Sequence, residues 1–136
     1  MDFSFINWWA VVACVIVSMI SGSIWFGPKT FFPVWWKAIG RTEQDKPGGG
    51  NMAVLWGGTV LASFVQVVSV ALMINAMGVT TAGAGAMAGF MLWFGFVAAT
   101  SLTNKLFAGQ LKAWVLEAGN HLINFLLFGA ILAAWH

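Results

Sequence analysis

The sequence has very little charge. Only 7% of its 136 residues are Asp, Glu, Lys or Arg, while 60% are hydrophobic; an ordinary soluble domain carries about 25% charged residues. A water-soluble fold of this length leaves too much chain exposed to hide that much apolar surface, so the solvent must be lipid. The net charge of +2 is too small, and its carriers too scattered, for a nucleic-acid surface. Cys14 is the one cysteine, which excludes an intrachain disulfide and a four-cysteine metal site. The three prolines, Pro28, Pro33 and Pro47, all fall in one connection, so no long apolar run is broken by proline. That argues against a transporter built from two repeats of discontinuous helices. The period-two alternation of barrel strands is missing too. Tyrosine is absent, whereas nine Trp and twelve Phe are present. Asp2 stands where a secretory signal carries Lys or Arg, so the first apolar segment is expected to be retained.

What is present is four apolar runs, each near the 20 or so residues a bilayer core requires: about 5–26, 52–77, 84–107 and 111–135. The expected fold is all-α, a polytopic four-transmembrane-helix bundle forming a single domain over 1–136. The last two connections are short, so neighbouring spans run antiparallel. The first connection, 28–50, has two parts. "PKTFFPVWWKAIGR" mixes Phe31, Phe32, Val34, Trp35, Trp36 and Ile39 with Lys29, Lys37 and Arg41, the composition of an amphipathic interfacial segment. "TEQDKPGGG" then reads as a solvated linker.

The cations set an orientation. Lys29, Lys37, Arg41 and Lys46 lie in the first connection, and Lys105 and Lys112 flank the third. With four spans those two connections share one face, and by the positive-inside rule that face is cytoplasmic. Both termini are then expected outside (periplasmic), in a bacterial cytoplasmic inner membrane, with 27–51 and 108–110 as the cytoplasmic loops. Trp8, Trp9 and Trp135 fall at the outer boundary as interfacial anchors; Trp35 and Trp36, with Trp25, Trp56 and Trp114, fall near the inner one. Trp93 alone lies well inside.

Polar residues interrupt the fourth run. Glu117, His121 and Asn124 are spaced i, i+4, i+7 and share a helix face, with Asn120 beside them. Glu117 sits about 9 Å and His121 about 15 Å above the inner end. Thr100, Thr103 and Asn104 on the third span, Ser18 and Ser21 on the first, and Gln66 on the second have comparable depths, so one polar layer is expected. A carboxylate at the bilayer centre costs about 2.5–3.5 kcal/mol even on the lenient insertion scale, so Glu117 should point inward. It avoids that cost by keeping a proton or by pairing with His121 or Lys112. The bland alternative for the whole layer is interhelical glue, worth about 0.6 kcal/mol per bond. His121 is the only internal histidine, so one chain does not furnish the three or four ligands of a metal site, nor much of a haem site.

Small residues form two stripes where helices can approach: Gly85 and Gly89 in "GAMAG", and Cys14, Ser18 and Gly22 on the first span. The pattern serves internal packing or self-association equally well. No nucleophile elbow, phosphate loop, zinc-protease motif or dinucleotide fingerprint is present, so nothing reads as a soluble enzyme.

"SGSIWFGPKTFFPVWWKAIG", "GFMLWFGFVAATSLTNKLFAGQ" and "HLINFLLFGAILAAW" resemble the small bacterial integral-membrane family described as domain of unknown function 1761. The matching positions are Gly22, Trp25, Phe26, Pro28 and Trp36; then Trp93, Gly95, Phe96, Leu106 and Phe107; then His121, Gly129, Ile131, Leu132 and Trp135. The resemblance spans nearly the whole chain and implies the membrane bundle; it implies no activity.

Three functions compete. The first is a non-enzymatic lipid-embedded protein, a homo-oligomeric building block or an accessory subunit of a larger membrane complex, carrying no cofactor beyond bound lipid. The second is an oligomeric proton or small-solute pathway titrated by Glu117 and His121. The third is a membrane enzyme or a lipid-, pigment- or quinone-binding membrane protein.

Overall fold

The computed structural model describes residues 2–136. Six α-helices, numbered in chain order, build it. A 3₁₀ turn, Phe3–Phe5, precedes α1, Trp8–Trp25. The Asn7 side chain starts α1 by accepting from the backbone N–H of Trp9 and Ala10, satisfying donors that have no intrahelical partner. α2, Phe32–Ala38, follows with Pro33 in its first turn, where the missing N–H costs nothing. A second 3₁₀ turn, Pro47–Gly50, leads to Asn51, which caps α3, Met52–Ala76. Gly78, at φ +68°, ends that helix in a left-handed residue. Thr81 caps α4, Ala82–Leu92; a π-helical segment, Trp93–Ala98, joins it to α5, Ala99–Phe107. α6, Leu111–Ala134, closes the chain.

Four helices are long and apolar enough to cross a membrane: Trp8–Trp25, Met52–Ala76, Ala82–Phe107 and Leu111–Ala134. The protein is an all-helical, multi-pass membrane protein. The observed ends lie within three residues of those expected. The exception to the expected pattern is internal. The third span is interrupted after all, by a π segment rather than a proline.

α6 is the centre of the bundle. Its backbone meets that of α4 with nothing between them: a methyl added at Gly85 would fall on the Gly129 carbonyl, and one added at Gly89 on the Phe125 carbonyl. The small-residue stripe of α4 is thus used inside the chain. α1 packs on another side of α6 through Ala10, Val11, Cys14 and Ser18. The second half of α3 adds Val67, Val70, Ala71 and Ile74, and Phe128 of α6 is wholly enclosed among them.

The two ends of the bundle differ. At one, the Asn7 amide donates to the Trp135 carbonyl (3.4 Å), and Val79 and Thr80 of the α3–α4 turn line the same cleft as Phe5 and His136. At the other, the Gln110 amide donates to the Ile39 carbonyl (3.4 Å), joining the α5–α6 turn to the segment after α2. All six Lys and Arg residues belong to the connections gathered at this second end, or flank them.

Candidate functional site

Polar side chains cluster at the cation-rich end around Glu117. Its Oε2 accepts from Trp35 Nε1 of α2 and pairs with Lys105 Nζ of α5, each at 2.9 Å. Lys105 also donates to Gln110 Oε1 (3.2 Å), and Gln110 reaches Ile39. The chain of contacts ties α2, α5 and α6 together. Lys105 and Glu117 stay 21% and 26% exposed, so screening leaves the ion pair at about 1 kcal/mol or less.

The partner differs from both expected ones. Lys112 precedes Glu117 by five residues, about 140° away round α6, and is exposed. His121 follows on the same face, yet no hydrogen bond joins the two among the described residues. The Glu117 carboxylate is turned toward α2 and α5 instead.

The π segment explains which residues of the third span reach this cluster. In an uninterrupted α-helix, Thr100 and Asn104 would stand within about 20° of Trp93. The extra residue taken up by a π turn puts Ser101 and Lys105 there instead. Thr100 and Asn104 are accordingly exposed on the outer face, as is Thr103, while Ser101 and Lys105 are half-buried. The segment also disturbs the carbonyl ladder, and polar side chains answer it. Ser101 Oγ donates to the Val97 carbonyl (2.8 Å), and Trp114 Nε1 donates to the Ala98 carbonyl and to Ser101 Oγ, both at 3.1 Å. Unsatisfied carbonyls cost several kcal/mol where lipid is the solvent, so such side-chain donors are needed.

Other indoles act likewise. Trp25 Nε1 donates to the Leu116 carbonyl (2.8 Å) and Trp93 Nε1 to the Ala118 carbonyl (2.9 Å), holding α1 and the third span against α6. Of these indoles Trp35 donates to Glu117 itself, and the others to backbone carbonyls of α6 and the third span. Their roles, and those of Lys105 and Gln110, were not legible in the sequence, because a Trp near a membrane boundary already has a sufficient reason to be there.

Above Glu117 the cluster narrows. Asn120, buried, donates from Nδ2 to Ser21 Oγ (3.0 Å). Ser18, also buried, donates to the Val15 carbonyl of its own helix. His121 Nδ1 and Asn124 Oδ1 are buried with no partner among the described residues, Asn124 being only 6% exposed. Higher still, Val11, Cys14, Val67 and Phe128 are fully buried. Gln66 is half-buried and makes no side-chain hydrogen bond among the described residues, so it does not join the layer expected of it.

The tryptophans placed at the boundaries divide. Trp8, Trp9 and Trp135 are exposed at the end that holds the termini, Trp9 to 77%. Trp35 is occupied by Glu117, and Trp36 donates to the Thr42 carbonyl (2.9 Å) while the Arg41 guanidinium lies 6.0 Å from its ring centroid. In the linker, Asp45 accepts from the Thr42 N–H (2.8 Å), which holds its carboxyl below the usual carboxylate range.

Comparison with curated proteins and with solved structures gives no match. A family does match, over residues 9–133, and carries the description "Protein of unknown function (DUF1761)". The match covers nearly the whole length, so the chain belongs to that family of proteins of unknown function.

Proposed function

We propose that the protein is a non-enzymatic structural subunit of a membrane assembly, and that it associates with a second copy of itself through the first half of α3. One observation carries this reading. From Met52 to Gln66 no residue of α3 is buried, and its aromatic contact with the bundle is Phe64, stacked on Trp8 of α1 at 6.3 Å. Gly57 and Gly58 lie in it with nothing within 4 Å of where a side chain would start. Each glycine costs a helix about 0.5–1 kcal/mol relative to alanine, and no contact inside the chain offsets that. Gly58, Ala62 and Gln66 follow at i, i+4, i+8, the small-residue stripe along which membrane helices approach. A two-fold axis there brings Gln66 against Gln66, and a primary amide both donates and accepts.

Surface area supports it. The chain exposes 8221 Å²; a compact monomer of 14.6 kDa exposes about 6,900 Å². The surplus of about 1,300 Å² exceeds the roughly 800 Å² that one partner gives to a standard interface. In this reading the Glu117 cluster is structural, the cation-rich end is cytoplasmic and both termini lie outside, in the bacterial inner membrane. Mild extraction and native mass spectrometry test it. A discrete oligomer is expected, reduced to folded monomer by Gly58→Leu; wild-type protein found only as a lone monomer would overturn it.

A second reading, a proton or small-solute pathway, draws on the unpartnered His121 Nδ1 and Asn124 Oδ1 above Glu117. Against it stand the full burial of Val11, Cys14, Val67 and Phe128 and the engagement of Glu117 by Lys105 and Trp35. pH-dependent flux in liposomes, abolished by Glu117→Gln in protein that stays folded, would establish it; background flux from both proteins would end it.

A further inference from the structure

At the cation-rich end, six Lys and Arg residues face three carboxylates, Glu43, Asp45 and Glu117. Two of these are engaged within the chain. Lys105 takes Glu117, and Thr42 donates to Asp45. Lys37 of α2 and Lys112 in the first turn of α6 are exposed, and neither has an ion-pair partner among the described residues. They flank an open cleft of about 510 Å³ between the two helices, and its other lining residues are Pro33, Val34 and Ala38. Two cations from separate elements thus overlook an apolar floor with no acid in it.

Two further features favour an anion there. α6 begins without a side-chain cap, because Gln110 spends its amide on Ile39 and Lys105. The uncapped amides leave the positive end of the helix facing outward near Lys112. The neighbouring groove of about 690 Å³ shares Lys37 and is lined also by Arg41, Glu43 and Asp45. Those acids line the groove only: the cleft holds both lysines and no carboxylate, and Lys112 does not reach the groove.

The apolar span of α6 starts at Leu111, next to the cleft, where lipid headgroups are expected. A soluble anion would find its charge matched there but would leave the Pro33–Val34–Ala38 floor uncovered. An anionic phospholipid fills both requirements. We propose that the cleft between α2 and α6 binds the headgroup phosphate of an anionic phospholipid between Lys37 and Lys112, with Pro33, Val34 and Ala38 against its first acyl carbons.

Lipid titration of the detergent-purified protein, read by native mass spectrometry, tests this. Phosphatidylglycerol is expected to bind about tenfold more tightly than phosphatidylcholine. The double variant Lys37→Gln/Lys112→Gln is expected to weaken phosphatidylglycerol binding about thirty-fold. Lys29→Gln/Lys46→Gln removes the same charge outside the cleft and should change binding by less than about twofold. Val34→Glu keeps both lysines but puts an acid on the floor, and should weaken binding as the double variant does. Equal losses from the two lysine pairs, equal binding of phosphatidylcholine, wild-type binding by Val34→Glu, or displacement of the lipid by millimolar inorganic phosphate would each overturn the proposal.

Discussion

Two stretches of the molecule use glycine in opposite ways. In α4, Gly85 and Gly89 are pressed against the α6 backbone, where no side chain fits. In α3, Gly57 and Gly58 face open space. Hydropathy does not separate them, for both lie in segments long and apolar enough to cross a membrane. The lesson is that a small-residue stripe records a close approach without naming the partner. α4 meets its partner within the chain, and α3, on the proposal made above, meets its own in another copy.

The largest expected effect comes from filling the inner contact. Gly89→Leu should abolish the folded monomer or lower its thermal midpoint in detergent by well over ten degrees, since overpacking costs about 1–3 kcal/mol even where side chains can yield and here the obstacle is backbone. Gly58→Leu should leave that midpoint within a few degrees. If the two substitutions destabilise the monomer equally, the contrast between the helices fails.

A smaller effect is expected at the cluster that joins α2 to α5 and α6. Glu117→Gln leaves the Lys105 ammonium with Gln110 but without its carboxylate at a half-buried site, a loss of about 1 kcal/mol. Lys105→Met with Glu117→Gln should recover part of it. Reversible unfolding in mixed micelles measures both, and additive losses would mean the pair is not coupled.

Smaller again is the change at Asn124. A buried acceptor without a partner is a cost, so Asn124→Leu should be neutral or slightly stabilising. Destabilisation beyond about 1 kcal/mol would show that this amide holds something in the working protein.

The smallest effect concerns the linker. The Asp45 carboxyl, held below its usual range by the Thr42 N–H, contributes its local order above the unfolded pKa and loses it as pH falls through the folded value. Protease cutting near Thr42–Asp45 should therefore rise on acidification, and Asp45→Asn should cut readily at every pH.

Much of this architecture was legible from hydropathy and charge. Apolar length marks the spans because lipid satisfies no backbone group and forces whole helices. The lysines mark one end because few turns were available to hold them. Azimuth was not legible. Thr100 and Asn104 look like inner residues under an α-helical period, and the π segment at Trp93–Ala98 exchanges them for Ser101 and Lys105. No proline announces that segment. The neighbours of Glu117 stayed hidden for a related reason: Trp35 and Lys105 lie 82 and 12 positions away, and only the packed bundle brings them to it.

Disulfide trapping in native membranes is the most direct test of the central claim. In a Cys14→Ala background, Ala62→Cys sits on the open face of α3 and Met91→Cys on the exposed side of α4. On mild oxidation, Ala62→Cys should run as a covalent dimer and Met91→Cys as a monomer. Monomer from both would contradict the account.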